Sequence, residues 1–129
     1  MHAIDTNVVI RYITADDPGQ AERARSAIER GGAWVSTTVL LECEWVLRSA
    51  YGFSQELVIA ALRRFAGLED VLLEAPQAVA QALDWAERGL DFADALHLAS
   101  AAGQDEFLTF DARLIRRAHE LGLGGVRAP

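Results

Sequence analysis

Short apolar runs alternate with longer amphipathic stretches along the whole chain, and this alternation limits the fold more than any other feature. Glycine follows most of the amphipathic stretches, as expected after helix ends. Helices are predicted over about 7–14, 18–30, 39–50, 55–66, 77–88, 91–102 and 113–121. Strands are predicted to end at Asp5 and to span 33–36, 71–74 and 106–110, and a short edge strand at 125–127 would be the fifth. The predicted fold is therefore α/β, with three layers (α/β/α) and a central, mainly parallel sheet of four to five strands.

Individual residues set the expected boundaries of these elements. Asp17-Pro18 is expected to open the second helix, Thr37-Thr38 to cap the third and Ser54 the fourth. Pro76 is expected to end the third strand, and Gly103 to cap the end of the helix over 91–102. The first strand, a short apolar run, is expected to be buried.

Acidic residues recur at equivalent places in this topology. Asp5 ends the first predicted strand, Asp111 directly follows the fourth, and Glu42 lies one turn into the helix after the second. These three positions point to the carboxyl-end edge of a parallel sheet, where ligands bind. Asp94, in the first turn of the helix before the fourth strand, joins them if that helix begins in the same crevice.

Each acid also has a purely structural interpretation. Asp5 and Asp111 are suited to cap the helices that follow them, and Asp91 to cap the next, with Asp94 at the third helical position as in a capping box. Glu42 is harder to explain this way, because it interrupts an apolar run in which a nonpolar side chain would pack better. An ionised glutamate at such a position needs a partner or a metal ion.

Several carboxylates in one crevice repel one another unless they share protons or bind a cation. Oxygen ligands without nearby histidine or cysteine favour Mg²⁺ or Mn²⁺ over zinc. Such a site is typical of phosphoryl chemistry, in which the metal activates water and stabilises charge on the phosphate.

Composition excludes several other classes of protein. The length of 129 residues predicts one domain, 1–129, and the net charge of −7 disfavours a protein that coats duplex nucleic acid. All twelve basic residues are arginine, which excludes Schiff-base chemistry and a P-loop lysine. One cysteine, Cys43, and three scattered histidines form no zinc motif, and the lone thiol is typical of a reducing cytoplasm. No apolar run approaches the roughly 20 residues of a membrane span, and no secretory signal is visible.

The four acidic segments together resemble the PIN-domain ribonucleases, and within them the VapC-type toxins of bacterial toxin–antitoxin pairs. Their order, their spacing and the total chain length agree over essentially the whole sequence. The matching segments are Ile4-Asp5-Thr6-Asn7, Leu41-Glu42, Asp94-Ala95-Leu96-His97-Leu98-Ala99 and Leu108-Thr109-Phe110-Asp111.

The resemblance implies an endoribonuclease that uses Mg²⁺ or Mn²⁺ and leaves a 5′-phosphate. It implies RNA as substrate, a small antitoxin that wraps the groove, and a homodimer in the cytoplasm without membrane association. The implied catalytic and metal-binding residues are Asp5, Glu42, Asp94 and Asp111. Supporting polar residues are implied at Thr6, Asn7 and Thr109, with Asp91 as an auxiliary. A PIN nuclease without a toxin role, or an inactive PIN-like binding module, is the alternative.

Other functions and residues receive less support. Aspartyl-phosphate phosphatases and receiver domains also place an aspartate after the first strand, but both use a lysine, and the phosphatases need a second aspartate where this chain has Asn7.

His97 could assist a metal or act as a base, although a structural role is favoured. Five arginines could contact RNA phosphates, or could belong to solvated faces, with Glu120 as a partner on the last helix. They are Arg11, Arg48, Arg113, Arg116 and Arg117.

Overall fold

The computed structural model describes all 129 residues, in seven helices and five short strands. Helices alternate with strands and every strand pair is parallel, so the predicted α/β class is confirmed. The elements in chain order are β1 (His2–Ala3), α1 (Thr6–Thr14), α2 (Pro18–Gly31), β2 (Ala33–Val35), α3 (Thr37–Ser49), α4 (Gln55–Ala66), β3 (Val71–Leu73), α5 (Pro76–Glu87), α6 (Phe92–Ser100), β4 (Phe107–Leu108), α7 (Ala112–Glu120) and β5 (Val126–Arg127).

The chain divides into two compact units, an N-terminal unit (Met1–Pro76) and a C-terminal unit (Gln77–Pro129). The five strands accordingly form two sheets, one of three strands and one of two. No helix is both long and apolar enough to cross a membrane. The single domain over 1–129 stays a prediction.

In the N-terminal unit the strand order is β1-β2-β3. Ala33 of β2 pairs with His2 on one side and with Val71 on the other. Helices α1 to α4 supply most of the buried side chains of this unit, and Tyr12 of α1 meets Phe65 of α4 edge to face, with ring centroids 5.7 Å apart. The buried residues include Val9, Ile28, Val35, Leu40, Leu47, Val58 and Leu62.

The expectation of a buried first strand is wrong. His2 and Ala3 are both exposed, because β1 has only two residues and lies at the edge of its three-stranded sheet. The extended backbone continues one residue further, since the amide of Ile4 donates to the carbonyl of Trp34 over 3.1 Å. Asp5 is therefore the first residue free of strand pairing.

Helix boundaries agree with the sequence at Asp17-Pro18 and Ser54, and differ at three other places. Ser36, not Thr37-Thr38, caps α3: its Oγ accepts from the amide of Val39 over 3.2 Å. Pro76 begins α5, where proline needs no amide hydrogen. Helix α6 ends at Ser100 with Ala101 as its cap, so Gly103 lies beyond the helix end.

The C-terminal unit consists of helices α5, α6 and α7 with the sheet β4-β5. Phe107 of β4 pairs with Val126 of β5, which confirms the fifth strand. The buried side chains of this unit include Val79, Leu83, Leu90, Phe92, Leu96, Leu114 and Ala118. Burial of one stripe on α6 leaves its other face to carry Asp94 and His97.

Candidate functional site

Asp5 is the N-cap of α1. Its backbone is extended (φ −89°, ψ 168°), and its Oδ1 accepts from the amide of Thr6 over 2.8 Å. The side chain is exposed. The capping interpretation of Asp5 is therefore correct, and the cap still leaves carboxylate oxygen accessible to a ligand.

Thr6 connects α1 to α3. Its side chain is buried, and its Oγ1 donates to Oε1 of Glu42. Glu42 itself is exposed, so the expectation that it takes the place of a packed nonpolar residue is wrong. The expected partner does exist, and it is the hydroxyl group of Thr6.

The buried carboxylate of α3 is Glu44, which the sequence interpretation overlooked. Its side chain is 3% exposed and accepts from Nε of Arg48 over 2.6 Å. The spacing of Leu40, Cys43 and Leu47 could have revealed this, because it places Glu44 on the same buried stripe.

Cys43 of α3 is fully buried, and its Sγ lies 3.9 Å from the carbonyl oxygen of Thr6 in α1. Burial, with smaller contributions from the negative charges of Glu42 and Asp5, raises the pKa of the Cys43 thiol to about 12. The charges of both carboxylates therefore act on the same buried thiol. Asn7 follows in the first turn of α1 and is exposed.

In the C-terminal unit, Asp91 caps α6: its Oδ2 accepts from the amide of Asp94 over 3.1 Å. Burial raises the pKa of Asp94 above its usual range, and the charges of Asp91 and Asp111 add to this, while His97 acts in the opposite direction. The negative charges of Asp91 and Asp111 thus both disfavour the charged form of Asp94. His97 is exposed on the same helix.

Asp111 caps α7 and does not belong to a strand. Its Oδ1 accepts from the amides of Arg113 (3.0 Å) and Leu114 (3.1 Å). The amide of Asp111 in turn donates to Oγ1 of Thr109 over 3.0 Å. Thr109 therefore holds the backbone of the turn before Asp111, and the supporting role that the resemblance implies for it stays a prediction.

The predicted site residues thus fall into two sets, one in each unit. Asp5 and Glu42, with Thr6 and Asn7, belong to the N-terminal unit; Asp94 and Asp111, with Asp91 and Thr109, belong to the C-terminal unit. No group of three or more histidine, cysteine, aspartate or glutamate side chains is arranged to hold a metal ion.

The chemistry of the donors nevertheless fits a hard divalent cation. All the candidate ligands are carboxylates, with hydroxyl groups as neighbours, and no thiolate is available at neutral pH because the pKa of Cys43 is about 12. Burial is the main cause of the raised pKa of Asp94, and a cation would also relieve the repulsion from Asp91 and Asp111 that adds to it.

Three of the candidate arginines form ion pairs within the protein. Arg117 pairs with Glu120 over 3.7 Å, as expected for a solvated helix face. Arg11 is bonded to Asp16 over 3.4 Å, and Arg48 to Glu44. None of these arginines therefore identifies a binding site by itself.

A family model described as PIN domain matches residues 3–120 and so includes residues of both compact units. No curated protein matches the chain. PIN domains have a nuclease-type fold and generally use divalent metal ions. The match covers well over half of the sequence, and the chain belongs to the PIN domain family.

Proposed function

We propose that this protein is a divalent-metal-dependent endoribonuclease that acts as the toxin of a toxin–antitoxin pair. The proposal depends most on one observation: in a chain of a nuclease family, burial raises the pKa of Asp94, and the negative charges of Asp91 and Asp111 raise it further. Carboxylates held together against their mutual repulsion are typical of a cation site.

In this proposal Asp5, Glu42, Asp94 and Asp111 hold Mg²⁺ or Mn²⁺. When bound, the cation supplies a water acidic enough to attack phosphorus near neutral pH and offsets negative charge on the phosphate. Hydrolysis would break the P–O3′ bond and leave a 5′-phosphate, as the family resemblance implies.

The other residues of the site position these carboxylates. Thr6 occupies Oε1 of Glu42 and leaves Oε2 for a ligand. Asp91 fixes the first turn of α6, and Thr109 fixes the turn before α7, so the backbone amides of Asp94 and Asp111 are each held by a hydrogen bond. Asn7 offers an exposed amide for contact with the substrate.

Cleavage of RNA by the purified protein tests this function. We expect cleavage with Mn²⁺ or Mg²⁺, none in EDTA, and a loss of at least about 100-fold in Asp5→Asn and Asp94→Asn. Asp105→Asn is the matched control, because Asp105 is an exposed aspartate outside the candidate site. Undiminished cleavage in EDTA would overturn the metal-dependent mechanism.

The toxin role has a separate test in cells. Expression in a bacterial cytoplasm should stop growth, Asp5→Asn should remove the effect, and co-expression of a small antitoxin encoded upstream should restore growth. Cleavage without toxicity would indicate a PIN nuclease without a toxin role. Absence of Mn²⁺ binding by calorimetry would indicate an inactive binding module. The family's homodimer is tested by sedimentation of the purified protein.

A further inference from the structure

Two adjoining grooves follow helix α2 in the N-terminal unit. The first, of about 480 Å³, lies between α1 and α2, and its lining includes Asn7, Arg11 and Arg23. The second, of about 390 Å³, includes Arg23 again and Arg30. Because they share Arg23 and Ala27, they form one continuous surface, here named the α2 groove.

The α2 groove is basic although the protein is acidic. No aspartate or glutamate lines either part of it, in a chain with 19 acidic and 12 basic residues. The spacing of Gln20, Arg23, Ala27 and Arg30 by three or four residues places them on one face of α2. The acidic residues of this helix lie on another face, where Glu22 pairs with Arg25 over 3.3 Å.

Arg23 and Arg30 are exposed and make no hydrogen bond or ion pair within the protein. Each guanidinium offers five N–H donors in a fork suited to phosphate oxygens. Arg11 differs, since Gln20 (2.7 Å) and Tyr51 (3.0 Å) hold it in place. The two free arginines are seven residues apart, a rise of roughly 10 Å along the helix, so they can contact separate phosphates.

We propose that the α2 groove binds the sugar–phosphate backbone of single-stranded RNA and leads it to Asp5. This inference depends on the proposed nuclease function. The groove reaches Asn7, two residues after the Asp5 cap at the start of the same helix. A flexible single strand can follow one helix face, whereas the net charge of −7 disfavours the extensive phosphate contacts of a protein that binds duplex nucleic acid.

RNA binding in EDTA tests the groove separately from cleavage. Fluorescence anisotropy would follow a fluorescein-labelled, unstructured 15-nucleotide RNA as the salt concentration rises. We expect Arg23→Gln/Arg30→Gln to raise Kd at low salt by about 10-fold or more. The slope of log K against log salt should become shallower by about 1.4, at about 0.7 for each lost phosphate contact. Arg25→Gln, on another face of the same helix, should bind as the wild type does.

Cleavage assays with the same variants distinguish the two proposals. We expect Arg23→Gln/Arg30→Gln to raise KM with kcat retained, as expected for lost substrate binding that is equal in the ground and transition states. Normal KM and normal Kd in this variant would overturn the groove assignment while the nuclease function stands. Salt-dependent binding that needs both arginines, without cleavage under any metal condition, would uphold the groove and overturn the nuclease. If polyglutamate at equal charge concentration displaced the RNA fully, the assignment to nucleic acid would be overturned in favour of an acidic protein segment.

Discussion

Thr6 and Glu42 are joined by a hydrogen bond from the threonine hydroxyl to Oε1 of the carboxylate, across 36 positions of sequence. The donor is buried at the start of α1, while the acceptor is exposed on α3. One oxygen of Glu42 is thus fixed by the protein, and the other makes no hydrogen bond within it. This hydrogen bond connects the first residue of α1, next to the Asp5 cap, with Glu42, the second predicted acid of the site.

Removing the hydroxyl group of Thr6 should weaken metal binding without removing a ligand. We expect Thr6→Val to reduce Mn²⁺ affinity by about 10-fold or more, because groups that orient metal ligands typically contribute that much. Thr6→Ser keeps the hydroxyl group and should retain most of the affinity. Calorimetric titration with Mn²⁺ measures both variants, and thermal unfolding checks that they are folded. Equal affinities for Thr6→Val and wild type would show that this hydrogen bond has no part in metal binding.

Asp94→Asn should make the metal-free protein more stable. The substitution removes a negative charge that burial disfavours and that Asp91 and Asp111 repel, and Asn is nearly the same size. We expect Tm in EDTA to rise by a few degrees, while added Mn²⁺ should raise Tm more for the wild type than for the variant. Differential scanning calorimetry gives both quantities. A fall in Tm in EDTA, with the fold intact, would mean that Asp94 stabilises the structure and is not held under repulsion.

The sequence predicts the start of a helix well where the side chain or ring of a single residue determines it. Asp17-Pro18 and Ser54 are such cases, since a side-chain acceptor or a missing amide hydrogen acts within one turn. Ser36 was missed as a cap because the end of β2 decides where α3 begins. The amide of Glu74 pairs with the carbonyl of Val35, while the Glu74 side chain accepts from the amide of Thr37. These contacts join residues far apart in sequence.

The order of the acids along the chain indicates the candidate site residues, but it does not predict the surroundings of their side chains. Within the run before Glu42 every residue is nonpolar, so the run alone does not show which side of α3 faces inward. The helical spacing of Leu40, Cys43 and Leu47 does show it, and it places Glu44 inside and Glu42 outside. The division of the strands into sheets of three and two depends on distant pairing, which no local pattern encodes.

Arg48→Met alone should destabilise the fold more than the double substitution of Arg48 and Glu44, which removes both partners of the ion pair. The side chain of Glu44 is only 3% exposed, and its carboxylate accepts a hydrogen bond from the guanidinium of Arg48. The single substitution removes this donor and leaves the buried carboxylate without it. We expect a cost of about 3 kcal/mol in the free energy of unfolding, as is typical when a buried charge loses its partner. Arg48→Met with Glu44→Met should recover much of this loss. Urea unfolding of both variants, with Glu44→Met as the third corner of the cycle, measures the coupling. A double variant less stable than Arg48→Met would contradict the account.

The stabilising effect of Tyr51 should depend on pH through Asp16. The Tyr51 hydroxyl donates to Oδ2 of Asp16 over 2.7 Å, and this hydrogen bond is the largest cause that lowers the pKa of Asp16 below its usual value. The hydrogen bond from Thr14 and the positive charge of Arg11 lower the pKa further. Because the folded pKa is depressed, the contribution to stability is complete above the unfolded pKa and disappears as pH falls through the folded pKa.

Tyr51→Phe removes the largest of these effects on Asp16. We therefore expect the variant to unfold at lower urea concentration than wild type near neutral pH, and the difference to shrink as pH falls from about 5 to about 3. Tyr12→Phe is the matched control: Tyr12 packs against Phe65 and makes no hydrogen bond through its hydroxyl group, so its effect should not change with pH. Urea midpoints across this pH range measure both variants. A stability difference for Tyr51→Phe that stays constant down to pH 3 would mean that the Tyr51 hydroxyl acts through Arg11 and not through the ionisation of Asp16.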